Sequence, residues 1–176
     1  MNWRSALIGA VVVIPLLVIL ALGFGQDPHE VPSVLEGKPA PAFELATVDG
    51  KPMRLEEFRG KPVVINFWST WCRPCKLEHG LLQQSARMYG ERVQFVGIVY
   101  QDELEAVRRY LQAGGEAYPQ LMDSGSKVAI DYGVAGVPES FFIDATGVIR
   151  HKQAGVLTPD VLRGTLDRLL SEGAQG

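Results

Sequence analysis

Six residues, Val63-Val64-Ile65-Asn66-Phe67-Trp68, form a nearly unbroken apolar run after Gly60-Lys61-Pro62 and shortly before a pair of cysteines, Cys72 and Cys75. A short apolar run without alternation is the pattern of a strand covered on both faces. Such a strand needs elements above and below it, and the flanking sequence supplies them. Residues 75 to about 89 carry Leu77, Leu81, Leu82, Ala86 and Met88 at helical spacing and stop at Gly90. Residues 94–100 read as a second buried strand, 102–112 as a second helix stopped by Gly114-Gly115, and 127–132 as a short helix. Alternating strands and helices predict an α/β fold. Two hairpins bracket this unit. Asp49-Gly50 turns residues 43–45 back onto 53–55, and Ala145-Thr146-Gly147 joins 140–144 to 148–151. Thr158-Pro159 opens a last helix with Val161, Leu162, Leu166, Leu169 and Leu170 on one face.

The chain has 176 residues, 47% of them apolar, and a formal net charge of −3. These values exclude a disordered chain, an acidic tail protein and a polybasic binder of nucleic acid. Residues 6–25 hold no charged side chain, and about 20 apolar residues suffice to span the hydrocarbon core as one helix. Arg4 precedes the run while Asp27 and Glu30 follow it, which places the N-terminus in the cytoplasm and the rest outside. An uncleaved membrane anchor is the preferred reading. A cleaved signal peptide, with Ala21 and Gly23 as a small-residue cleavage pattern, is the alternative. The expected organisation is an anchor at 1–25, an extended linker at 26–37 and one domain at 38–176.

The two cysteines carry the chemistry. A bridge across so short a loop constrains the unfolded chain little, so a purely structural disulfide explains the pair poorly. Disulfide exchange needs an attacking thiolate and a second thiol close enough to resolve the mixed disulfide. A Cys-x-x-Cys at a helix start provides both, with Cys72 exposed at the helix N-terminus as nucleophile and Cys75 pointing inward as resolving thiol. Pro74 suits the first helical turn, and Trp71 offers a flat apolar wall beside the sulfur. A metal site built from Cys72, Cys75 and His79, of copper-delivery type, is the competing reading. His79 and His151 are otherwise expected to be exposed polar residues.

The run Asn66-Phe67-Trp68-Ser69-Thr70-Trp71-Cys72-Arg73-Pro74-Cys75-Lys76 resembles the active-site region of thioredoxin-like proteins, and Gly136-Val137-Pro138 resembles their cis-proline loop. Glu78-His79, the run 97–100 with Asp102, and Gly133 to Asp144 resemble the cytochrome c biogenesis family called DsbE or CcmG, with its TlpA and ResA relatives. A peroxiredoxin is disfavoured, because the proline, threonine and cysteine of its peroxidatic motif are not seen together. The resemblance implies a thioredoxin-like fold: a central mixed sheet flanked by helices, with an N-terminal β-hairpin extension and a single N-terminal transmembrane helix. It implies a thiol:disulfide oxidoreductase acting as reductant in the periplasm, tethered to the bacterial inner membrane. Its partners would be apocytochrome c or maturation thiol proteins, and a membrane electron donor of DsbD or CcdA type. No cofactor beyond the Cys72–Cys75 redox disulfide is implied, and no metal. The same resemblance implies a cis bond at Val137-Pro138 and an acidic groove mouth at Glu139. Asn66 stands where thioredoxins usually carry a buried aspartate, and Glu78 would supply that carboxylate instead.

Overall fold

The computed structural model describes residues 34–173 and, nearer the N-terminus, positions 3, 11, 13–15, 17 and 18. Residues Met1–Val31 and Pro32–Gly176 form two separate units. In the first, the described positions are helical, and Val11, Val13, Ile14, Leu17 and Val18 are exposed. The expected membrane helix at 6–25 lies largely outside the described residues. Among the described residues, no helix is long and apolar enough to cross a membrane.

The second unit is built on the apolar run. It forms β3 (Val63–Trp68), buried at every position. β3 pairs in parallel with β4 (Gln94–Tyr100) on one side and antiparallel with β6 (Glu139–Ile143) on the other. Beyond β4 lies β5 (Gln120–Asp123), parallel to it, then the hairpin of β1 (Glu44–Thr47) and β2 (Pro52–Arg54), and β7 (Ile149–Ala154) closes the far edge. The order β2-β1-β5-β4-β3-β6-β7 makes one mixed seven-stranded sheet. The hairpin is therefore no appendage: β1 extends the sheet through Ala46 and Thr47, paired with Met122 and Leu121. Gly50, at φ 83°, makes its turn, a conformation that costs glycine little.

Four helices cover the sheet: α1 (Arg73–Tyr89), α2 (Leu104–Gly114), α3 (Lys127–Asp131) and α4 (Pro159–Gly173). Because side chains alternate along a strand, Val63, Ile65 and Phe67 enter a core with Ile98, Tyr132 and Phe141. Val64 turns to the opposite face, packed with Leu82 of α1 and Leu162 and Leu166 of α4. Trp68 joins a third cluster with both cysteines, Val99, Val107 and Leu111.

Two elements come unannounced by the sequence, and two sequence expectations change. β5 and a 3-10 turn at Leu55–Phe58 carry no signal strong enough to predict; β5 is a strand because β4 and β1 both pair with it. Leu77 and Met88 are exposed rather than packed, since α1 buries a narrower stripe through Cys75, Glu78, Leu82 and Ala86. The end of the expected linker is docked: Gly37 N–H donates to Ile149 O at 2.8 Å, and Pro39 bridges to Val148.

Candidate active site

The parallel strands β3 and β4 end side by side, and their C-terminal loops build the site. Cys72 is the N-cap of α1, with φ −78° and ψ 106°, and its sulfur accepts from the Cys75 N–H at 3.1 Å. The two cysteines form a disulfide. Unpaired N–H groups and the helix dipole at this end favour negative charge on the Cys72 sulfur once it is reduced. The expected exposure of Cys72 is corrected, however. The residue is only 4% exposed, because its sulfur is tucked against the loop before β6 and lies 3.5 Å from Val137 O. What stands open around it is Trp71, 58% exposed, with Arg73 and Pro74. The Val137-Pro138 bond is cis.

Glu78 lies one helical turn after Cys75 on the same face. It is 2% exposed, so it is a buried carboxylate and not a solvated surface glutamate. Its Oε1 accepts from Asn66 Nδ2 at 2.8 Å and its Oε2 from the Leu157 N–H at 2.6 Å. Asn66 also donates to Ser140 Oγ at 3.0 Å. One carboxylate thus ties β3, α1 and the loop before α4 together. Burial raises the Glu78 pKa above the ordinary glutamate value, and its bonds to Leu157 and Asn66 only partly oppose this.

Glu139 requires a correction. It was expected to acidify the groove mouth, yet it is 4% exposed. Its Oε1 accepts from the Ala135 N–H at 3.1 Å, and its Oε2 lies 2.7 Å from Lys152 Nζ. Glu139 and Lys152 thus form an ion pair in which the carboxylate is buried and the ammonium largely so. Lys152 Nζ donates to Gly133 O at 3.0 Å and sits 5.2 Å from the centre of the Phe141 ring. The pair therefore braces the loop before Pro138 from inside. Lys152 was not foreseen: it interrupts a strand whose partner Phe141 is fully buried, and sequence offers only that inconsistency as a signal.

His79 is also not the exposed residue expected. Its ring packs between Trp68 and Tyr110, at 6.1 and 5.0 Å between centroids. Its Nε2 is buried and faces Gly114 at the end of α2. Burial lowers its pKa below the ordinary histidine value, against the opposing effect of the Gly114 and Gly115 backbone. His151 is half-buried, beside the Phe142 ring and 3.6 Å from Glu36. Among the described residues, no three His, Cys, Asp or Glu side chains are grouped to hold a metal. Trp68 is held in turn by Gln120, whose Oε1 accepts from its indole N–H at 2.8 Å.

Comparison with known proteins gives a consistent picture. The family model described as AhpC/TSA family matches residues 36–152. The thiol:disulfide interchange protein DsbE of Pseudomonas fluorescens biotype C is 41% identical over 151 residues, covering 85% of this chain and 83% of that protein. The thiol:disulfide interchange protein HelX of Rhodobacter capsulatus is 36% identical over 172 residues, covering 90% and 94%. The crystal structure of a thioredoxin-family thiol:disulfide interchange protein from Chlorobium tepidum TLS superposes with a TM-score of 0.69 at 30% identity, covering 75% of this chain and 95% of that one.

Proposed function

Since the chain belongs to the AhpC/TSA family, is related over most of its length to thiol:disulfide interchange proteins named DsbE and HelX, and is a thiol:disulfide oxidoreductase, we propose that it serves cytochrome c maturation as a reductant. In this reading residues 6–25 anchor the chain in the bacterial inner membrane and the domain works in the periplasm. Its clients are apocytochrome c or maturation thiol proteins, and a membrane dithiol donor of DsbD or CcdA type regenerates it.

The observation that carries the assignment of roles is the position of Cys72 at the α1 N-cap, facing the Val137 carbonyl across the cis-proline loop. In the reduced protein the Cys72 thiolate attacks a client disulfide. A Cys72–client disulfide forms, and the other client sulfur leaves as a thiolate. Cys75 then gives up its proton and attacks the Cys72 sulfur, which closes the Cys72–Cys75 disulfide and releases the second client thiolate. Two electrons pass from the dithiol to the client, and the disulfide in the structure is the product state. In this reading Glu78, one turn beyond Cys75, is the carboxylate that takes the resolving thiol's proton. Trp71 and Pro74 form the exposed rim on which a client rests, and Pro138 shapes the opposite wall. Glu139 supports that wall through Lys152 rather than by contact with a client. The copper-delivery alternative loses support because the His79 Nε2 faces Gly114 at the end of α2 and the two sulfurs are bonded to each other.

Cys75→Ser tests the reading in the full chain. It leaves the attack intact and removes the resolving thiol, so mixed disulfides accumulate on Cys72. Recovery of apocytochrome c or a maturation thiol protein, with the membrane donor, is the expected result. Trapping only of unrelated envelope proteins defeats the cytochrome assignment, and trapping through Cys75 alone overturns the order of the two thiols.

A further inference from the structure

The turn that delivers Cys72 is gripped at three successive residues by three successive residues at the end of β4 and in the loop that follows it. Ser69 Oγ donates to Tyr100 O, the Thr70 N–H to Asp102 Oδ2, and the Trp71 indole N–H to Gln101 O at 2.9 Å. The first loop links β3 to α1, and the second links β4 to α2. In an extended strand successive carbonyls point to opposite sides, so two consecutive carbonyls meeting one loop require a break in the strand. Gln101 makes that break at φ 47°, a left-handed conformation that a non-glycine residue adopts only at a cost. Asp102 completes the arrangement. Its Oδ1 accepts from the Glu103 N–H at 2.8 Å, which fixes the carboxylate just ahead of α2, and its Oδ2 takes the Thr70 amide. Nothing in the exchange chemistry above uses Asp102.

We propose that Asp102 is a positioning residue for thiol exchange: through the Thr70 amide it fixes the turn that sets the Cys72 sulfur against Val137 and the Trp71 ring beside it. The Cys72 N–H donates back to Ser69 O at 3.3 Å, so the segment from Ser69 to Cys72 is one closed turn. That turn has no regular ladder partner of its own, and the clasp supplies its only bonds to β4's loop among the described residues. A charged acceptor makes the stronger kind of hydrogen bond to a backbone amide, and exchange in line at a sulfur is sensitive to small misplacements. The proposal rests on Cys72 being the attacking thiol.

The test uses the full chain in detergent. In the reduced protein, Asp102→Ala is expected to slow attack on a model peptide disulfide by roughly ten- to a hundredfold, with the Cys72 thiol pKa unchanged. Asp102→Asn keeps an oxygen acceptor without the charge and is expected to recover part of the lost rate, to within roughly fivefold of the parent. An unchanged rate in Asp102→Ala overturns the proposal. So does a faster rate with a lowered thiol pKa in both variants, which would make Asp102 an electrostatic brake. Should Asp102→Ala not fold, hydrogen exchange of the Thr70 amide in the native protein decides: slow exchange supports the clasp, and exchange at the free-loop rate refutes it. Peptide mapping of the adducts that accumulate in the single variants Cys72→Ser and Cys75→Ser, each of which lacks one thiol of the pair and so cannot resolve the mixed disulfide, keeps the two assignments apart. An adduct on Cys75 refutes the attacking role of Cys72, whereas an unchanged rate with the adduct on Cys72 refutes the clasp alone.

Discussion

Asn66 Nδ2 and Glu78 Oε1 lie 2.8 Å apart in the interior, so an amide on the central strand and a carboxylate on the redox helix form one polar unit. Because Asn66 carries no charge, Glu78 is the ionisable partner of that pair, and it stands one helical turn after Cys75.

Glu78→Gln should therefore lower the thiol pKa values, by roughly one unit, since an ionised carboxylate disfavours a neighbouring thiolate. Thiolate absorbance or alkylation rate against pH measures it in the reduced protein. An unmoved titration would remove Glu78 from the exchange chemistry and leave it a structural bridge between Asn66 and Leu157.

Stability should depend on pH through two buried groups of opposite sign. The folded state lowers the His79 pKa below 6.5, so the unfolded chain binds the proton more tightly and stability falls as pH drops below 6.5. The folded state raises the Glu78 pKa above 4.5, so the folded chain binds that proton more tightly and acidification just above pH 4.5 adds stability. Urea unfolding across this range should lose the first slope in His79→Gln and the second in Glu78→Gln. Identical profiles in the variants and the parent would contradict both assignments.

Lys152→Met leaves the Glu139 carboxylate charged, buried and without its cation. Breaking one side of a buried pair costs about 3–5 kcal/mol, whereas removing both charges together costs much less. Chemical denaturation should thus show a large loss in Lys152→Met and substantial recovery when Glu139→Gln is added. Additive losses would mean that the two side chains do not act as a pair.

Gly97→Ala places a methyl group 1.8 Å from Gln120 Oε1 and 3.0 Å from Trp68 Nε1. Gln120 is fully buried, so it has no free space to swing into. The expected cost is about 1–3 kcal/mol, as for overpacking in a core, with a shift in tryptophan emission as the Trp68 indole loses its partner. A melting curve and emission spectrum unchanged from the parent would refute this steric account.

The sequence by itself determined the local elements and the reactive pair. An unbroken apolar run made β3, Asp49-Gly50 made the first hairpin, and Cys72 and Cys75 fell where strand gives way to helix. These are properties of neighbours along the chain, and periodicity and turn chemistry encode them. The polar partners were another matter. Glu78 could be named, through the family resemblance, as the substitute carboxylate, but its meeting with Leu157 spans 79 residues, that of Thr70 with Asp102 spans 32, and that of Trp68 with Gln120 spans 52. Glu139 looked like a surface acid because the cation that neutralises it stands on another strand. Periodicity reports which way a side chain points, while the folded sheet alone decides what it meets there, and a buried charge is tolerated only where that meeting supplies its partner.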